Sequence, residues 1–214
     1  MRAVIFANGI LSDPNKVTQS IQPADVLIAA DGGAHHCLAL DLIPQLVIGD
    51  FDSLEPNELA ILEGAGALVI RHPARKDFTD LELAIEHALT MGAEDILILG
   101  ALGRRWDQTL ANLLLPAAQG FSKVNIRLVD ENQEILFIRG GNSVELLGSP
   151  GDTVSLIPLS ADVLGITTRG LEYPLEKGTL LFGSTRGISN VLQENRAAVS
   201  VEEGSLMCVL IHAR

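Results

Sequence analysis

Two aspartates one residue apart, Asp50 and Asp52, follow the apolar run Leu46-Val47-Ile48-Gly49. Carboxylates crowded at the end of a buried strand repel one another and resist losing their water. The usual compensation is a divalent metal ion. In an extended segment, residues two apart point the same way, so both carboxylates could reach one ion; Asp and Ser are equally ordinary turn and N-cap residues. Asp31-Gly32-Gly33 ends another apolar run. It reads either as a turn, where Gly allows positive φ and close backbone approach, or as part of a site. Lys76-Asp77-Phe78-Thr79-Asp80-Leu81-Glu82 opens a helical pattern. Thr79 and Glu82 have the spacing of a capping box, and Asp80 suits the helix dipole. Capping leaves Lys76 and Asp77 unexplained, and a helix N-terminus with a Lys and two Asp could hold phosphate together with its magnesium. In Gly103-Arg104-Arg105-Trp106-Asp107 an Arg could grip a phosphate by a bidentate pair. Asp107 is an N-cap or a metal ligand, and Asn112 falls on the second turn of the helix that follows. Trp106 could cover a nucleobase, with an anchoring apolar contact as the default. His35 and His36 belong to the helix after the glycine pair and receive no chemical role.

These clusters need elements to position them. Residues 3–8, 25–30, 46–49, 67–71, 95–100 and 124–129 are apolar runs that do not alternate, as expected of strands covered on both faces. The clearest helix runs from Asp80 to about Met91, with Leu81, Ala84, Ile85, Ala88 and Leu89 on one face. A second is expected from about Asp107 to Gln119. This βαβα pattern implies an α/β fold with an open, mostly parallel sheet flanked by helices. Ligands bind such sheets outside the carboxyl ends of the strands, so the polar turns should converge on one edge whatever the strand order. After Gly140-Gly141-Asn142 come short runs separated by turn signals and no amphipathic helix of useful length. The expected organisation is an α/β domain over residues 1–140 and an antiparallel, sandwich-like all-β domain over 141–214.

Composition narrows the function classes. Of 214 residues, 47% are hydrophobic and 20% charged, which excludes a disordered chain. A net charge of −12 argues against a general nucleic-acid binder, although metal ions, local cations and backbone N–H groups still let an acidic protein bind phosphates. No apolar run reaches the roughly 18 residues of a membrane span. The first residues read as a strand and not as a signal peptide. Cys37 and Cys208 lie far apart without metal spacing and read as reduced thiols of a cytoplasmic protein. Neither a Walker A pattern nor G-x-G-x-x-G is present.

Taken together, D-G-G at 31–33, G-D-F-D-S at 49–53, K-D-x-T-D-x-E at 76–82, and G-x-R-x-D-Q with a following Asn at 103–112 resemble the thiamine pyrophosphokinase (thiamine diphosphokinase) family. G-x-S-N at 187–190 is similar to that family's thiamine-side motif. The resemblance implies Mg²⁺-dependent transfer of the pyrophosphoryl group of ATP to the hydroxyethyl oxygen of thiamine, with release of AMP. It also implies a homodimer with thiamine between the α/β domain of one subunit and the β domain of the other. Carried over by position, Asp50, Asp52 and Asp77, with Asp80 close by, would hold Mg²⁺. Asp107 would join these four in the catalytic set. Asp31, Gly32, Gly33, Lys76, Arg105 and Asn112 would contact the nucleotide, and Gln108, Ser189 and Asn190 would contact thiamine. Arg104 and Gln108 stand where many bacterial members have Gly and His; the family also uses Gln at the second position. Either Asp80 or Asp107 would accept the proton of the thiamine hydroxyl.

Two rival readings differ in class. A haloacid-dehalogenase-like phosphohydrolase would use Asp50 as covalent nucleophile and Asp52 as acid/base. Its motif normally lies on the first strand, and it leaves residues 76–82 and 187–190 unused. A non-catalytic nucleotide- or thiamine-binding module would favour Lys, Arg and backbone N–H groups over so many carboxylates.

Overall fold

The computed structural model describes residues 1–103 and 105–213. The chain forms two compact units, one of residues 1–115 with 123–131, the other of residues 116–122 with 132–214.

In the first unit the order is β1 (Arg2–Phe6), α1 (Pro14–Ser20), β2 (Val26–Ala30), α2 (Gly33–Ala39), β3 (Leu46–Gly49), α3 (Pro56–Gly64), β4 (Leu68–Arg71), α4 (Asp80–Thr90), β5 (Asp95–Leu99), α5 (Trp106–Leu114) and β6 (Asn125–Asp130). The strands lie in the order β6-β5-β1-β2-β3-β4, and every neighbouring pair is parallel. All six expected strands form; the four inner ones, β1, β2, β3 and β5, are buried nearly throughout, while the edge strands β4 and β6 are partly exposed. Val4, Phe6, Ala29 and Val47 pack with Ala34, Cys37 and Leu62, while α4 lies over β1, β2 and β3 and buries Leu81, Ala84, Ile85 and Ala88. The chain runs outward from β1 to β4 and then returns to place β5 on the other side of β1. That reversal opens a crevice at the carboxyl ends of β1, β2 and β5. α4 matches its expected span, capped by Thr79 Oγ1, which accepts from the Glu82 N–H at 3.2 Å. α5 ends at Leu114, short of the expected Gln119, and passes into a 3-10 turn over Leu115–Ala117, where Pro116 has no N–H to continue the helix.

The second unit holds β7 (Gln133–Arg139), β8 (Asn142–Leu147), β9 (Thr153–Pro158), β10 (Val163–Arg169), β11 (Gly178–Leu180), β12 (Asn190–Val191), β13 (Arg196–Val201) and β14 (Ser205–Ile211). Strands β12-β9-β14-β7 form one layer and β11-β10-β13-β8 the other. Their paired strands are antiparallel. Ile138, Leu156 and Leu206 from the first layer and Leu146, Ile166 and Val199 from the second share one core. The all-β unit has the expected character, and residues 132–140 group with it. β7 pairs with β14 along its whole length, from Gln133↔Ile211 to Arg139↔Ser205. Arg139 also donates to the carbonyls of Pro116, Ala117 and Ala118 at 2.7, 3.0 and 2.8 Å, which draws residues 116–122 into the same unit. Cys37 and Cys208 are buried free thiols, and burial pushes both up to about 12.

Asp152 ties down the end of the chain. It accepts from the N–H groups of Ser149 and Ala213 at 2.9 and 2.8 Å, and its Oδ2 lies 2.9 Å from His212 Nδ1. Burial alone would raise its carboxyl, but the Ala213 and Ser149 N–H groups and His212 together hold it below the usual range. A depressed carboxyl stabilises the fold above its unfolded pKa and ceases to do so as pH falls through the folded value. Asp152→Ala is therefore expected to cost about 2 kcal/mol at neutral pH. The difference from wild type, read as a shift in the urea midpoint, should shrink once pH drops below the ordinary carboxylate value of 3.8. Equal midpoints at pH 7 would remove this anchoring role.

Candidate active site

The carboxyl ends of β1, β2, β3 and β5 and the N-termini of α4 and α5 enclose a cavity of about 730 Å³. Asp31, Asp50 and Asp52 each bring a carboxylate oxygen to within 4.8 Å of the others. Asp31 enters because β2 and β3 are adjacent and parallel, with Ala30 opposite Ile48. It is 7% exposed, and its Oδ1 is buried without a hydrogen-bond partner among the described residues. Its φ is 46°, so the left-handed residue of the D-G-G stretch is Asp31 itself. The glycines serve close approach instead. A Cβ on Gly32 would lie 2.3 Å from Asn8 Oδ1, and one on Gly33 would lie 2.0 Å from the Phe6 carbonyl oxygen.

Asp50 and Asp52 converge by a different route from the extended one expected. β3 ends at Gly49, and Phe51 has φ 63°. A left-handed turn, not alternation along a strand, brings the two carboxylates together. Phe51 is buried beneath the Arg71 guanidinium, 4.8 Å from its ring centroid, and Arg71 donates to the Asp50 carbonyl at 2.9 Å. Asp52 N–H donates back to Asp50 Oδ1 at 3.2 Å. Asn8 Nδ2 donates to Ser53 Oγ at 3.3 Å, and that hydroxyl donates to Asp52 Oδ1 at 3.1 Å.

Lys76 faces this cluster from the approach to α4. Its Nζ is 2.8 Å from Asp80 Oδ1 and 3.9 Å from Asp50 Oδ2. Burial pushes the Asp80 carboxyl up; Lys76 opposes this, and the nearby Asp31 and Asp50 add to it. Asp80 lines the cavity and Asp77 does not; the Asp77 side chain is exposed. On the α5 side, Arg105 and Asp107 form an exposed bidentate pair at 3.2 and 2.6 Å. The Arg105 hydrogen bond holds the Asp107 carboxyl below its usual range. Arg105 and Gln108 line the cavity. Asn112 also lines it, with its Nδ2 committed to the Ala101 carbonyl at 2.7 Å. Thr109 Oγ1 accepts from the Gly103 N–H at 3.1 Å, which shapes the loop around it. Arg104 lies outside the described residues. Trp106 is 82% exposed and makes no buried apolar anchor.

Ser189 and Asn190 belong to the second unit. Ser189 has φ 61°, and its N–H donates to Ser155 Oγ at 3.1 Å. Asn190 Oδ1 accepts from the Tyr173 N–H at 3.0 Å, and its Nδ2 donates to the Tyr173 carbonyl at 2.8 Å. The sequence reading passed over Asn8, Thr109 and Arg71. Asn8 alone carried a signal, as the polar end of an apolar run.

Two family models match this chain. The family model for the thiamin pyrophosphokinase catalytic domain matches residues 17–128, and that for the thiamin pyrophosphokinase vitamin B1 binding domain matches residues 142–206. A thiamine pyrophosphokinase of Bacillus subtilis is 34% identical over 183 residues, 85% of either chain. Thiamine pyrophosphokinase 1 of Oryza sativa subsp. japonica is 26% identical over 73% of this chain and 62% of the rice protein. The crystal structure of the Bacillus subtilis thiamine pyrophosphokinase superposes with a TM-score of 0.89 at 30% identity, each chain covered completely. That of a family protein from Enterococcus faecalis gives 0.84 at 30% identity, also over the whole of each chain.

Proposed function

We infer the reaction from a membership that both family models and the Bacillus subtilis relative establish: the chain belongs to the thiamin pyrophosphokinase family. It is a thiamine diphosphokinase, which forms thiamine diphosphate at the expense of ATP. The observation that carries the site is the Asp31–Asp50–Asp52 cluster with its unpartnered buried oxygen, at the sheet edge where α/β folds bind ligands. A set of hard carboxylate oxygens fits Mg²⁺. We propose that Asp31, Asp50 and Asp52 hold the ion, with Asp80 beside them in the cavity lining. Asp77 is included on the resemblance of its motif alone. When bound, the ion neutralises charge on the phosphate oxygens.

The chain's own residues supply the rest. Lys76 and Arg105 face the developing negative charge on the pyrophosphoryl oxygens and on the departing AMP. Between the two candidate bases, Asp80 is the better. Its carboxyl is pushed up by burial, whereas Asp107 is held low by Arg105, and a base works best when its pKa approaches the working pH. Gly32 and Gly33 pack against Asn8 and the Phe6 carbonyl, and their assignment to the nucleotide rests on the resemblance of their motif alone. Direct transfer needs no aspartyl-phosphate, and the phosphohydrolase reading is not favoured.

Thiamine is assigned to Gln108 and to Ser189 and Asn190. The Asn190 amide bonds Tyr173, so Asn190 serves thiamine by holding the loop that carries Ser189. Ser189→Ala is expected to raise the KM for thiamine more than that for ATP; an unchanged thiamine KM sinks the assignment. We further propose a homodimer, supported by the exposed side chains of Tyr173, Leu181, Phe182 and Ile188 on the second unit. A cytoplasmic setting is supported by the two unpaired thiols. No helix among the described residues is long and apolar enough to cross a membrane.

The direct test incubates the protein with ATP, Mg²⁺ and thiamine. AMP and thiamine diphosphate, absent when thiamine or metal is left out, are the expected products. ADP or free phosphate would overturn attack at the β-phosphorus.

A further inference from the structure

His35 lies on α2, one turn beyond Asp31, and its ring reaches the turn that carries Asp50 and Asp52. Nε2 is 2.9 Å from the Ser53 carbonyl oxygen, and Nδ1 is 3.1 Å from Glu58 Oε1 on α3. Both partners are acceptors, and which ring nitrogen donates depends on the tautomer. The other oxygen of Glu58 accepts from the Glu55 N–H at 2.9 Å and closes the capping box of α3. The neighbouring His36 points elsewhere, with its Nε2 3.0 Å from the Gly9 carbonyl oxygen. Ser53 is thus gripped at both ends, by Asn8 at its hydroxyl and by His35 at its carbonyl.

We propose that His35 is a positioning residue for the cation site: its ring clamps the Ser53 carbonyl to Glu58 and so fixes the Asp50–Asp52 turn against Asp31. The assignment rests on the reading of those three aspartates as cation ligands. His35 touches neither ion nor substrate. Its influence passes through backbone. The turn needs such help, because Phe51 sits at φ 63°, a region that L-residues with large side chains seldom occupy. Contacts that hold the ligands of a metal site in place commonly govern affinity by roughly 10–100-fold.

The test uses the full chain as wild type, His35→Phe, His35→Gln and Asp50→Asn. Two readouts do not depend on turnover: binding of Mn²⁺ alone, followed by electron paramagnetic resonance, and amide hydrogen exchange over residues 50–54 in metal-free protein. His35→Phe is expected to weaken Mn²⁺ binding roughly 10-fold and to speed exchange over that segment without speeding it elsewhere. The Mg²⁺ concentration for half-maximal turnover should rise by the same factor, with the thiamine KM unchanged. His35→Gln keeps one N–H able to reach Ser53 and should recover most of the binding. Wild-type Mn²⁺ affinity in His35→Phe, beside lost affinity in Asp50→Asn, overturns the clamp and leaves the site reading standing. Wild-type affinity in Asp50→Asn removes the site reading and the clamp with it. Faster exchange throughout the chain in His35→Phe would also overturn the proposal, since it marks a general loss of stability.

Discussion

Asp31→Asn is expected to lower kcat by at least about 10²-fold, the scale of losing one electrostatic stabiliser, and to leave the fold unchanged. The choice of Asn matters. Asp31 sits at φ 46°, where Asn and Asp are the side chains best tolerated after Gly. Its close neighbours also fix its volume: a Cβ on Gly49 would already lie 3.0 Å from that of Asp31. Asn preserves both shape and backbone and removes only the charge. Asp31 is buried, and its Oδ1 has no hydrogen-bond partner among the described residues. An oxygen in that state costs free energy unless something positive meets it. Circular dichroism and thermal unfolding would establish that the variant is folded, and Mn²⁺ titration would report the ion directly. A folded Asp31→Asn with near wild-type kcat would falsify the three-carboxylate site. Asp77→Asn serves as the comparison. Asp77 is exposed and outside the cavity lining, so its loss is expected to cost less than that of Asp31.

The resemblance sets Asp31 among the nucleotide contacts of the polar site; that it meets Asp50 and Asp52 was not legible, and the reason is topological. Its partners in the cluster arrive from β3, and no local pattern tells which parallel strands are neighbours. The four inner strands of the first unit are legible because burial on both faces leaves an unbroken apolar run, and the edge strands β4 and β6 keep such runs although partly exposed. The site's place at their carboxyl ends followed from that without knowledge of strand order. β7 carries little signal because it follows the polar stretch Asp130-Glu131-Asn132 and itself opens on Gln133 and Glu134, and its partner, β14, begins only at Ser205. The glycine pair Gly140-Gly141 then looked like a boundary, whereas it is the turn between β7 and β8. Asp50 and Asp52 were paired for the wrong geometric reason. An extended strand was assumed, but Phe51 lies at positive φ beneath Arg71, a contact between residues distant in sequence. His35 had no signal, since its role comes from where α2 and α3 meet the turn between them.

Lys76→Gln is expected to lower kcat about 10²-fold at saturating ATP and thiamine, and its pH profile separates two causes. The ammonium lies 2.8 Å from Asp80 and 3.9 Å from Asp50, with the Lys76 side chain only 13% exposed. It can act on the transferring phosphoryl oxygens, as the sequence suggested, or it can act by keeping Asp80 ionised. Burial already pushes the Asp80 carboxyl up, Asp31 and Asp50 push it the same way, and Lys76 opposes them. Without the ammonium, Asp80 keeps its proton to higher pH than in wild type. If ionised Asp80 is the base, the acid limb of the kcat profile must move to higher pH in the variant. Recovery of wild-type turnover on the alkaline plateau would assign the whole effect to Asp80. A plateau that stays about 10²-fold low, with the limb displaced, is the expected result and gives the ammonium a direct part in phosphoryl transfer. An unmoved limb with near wild-type turnover would reduce Lys76 to an ion pair at the entrance to α4.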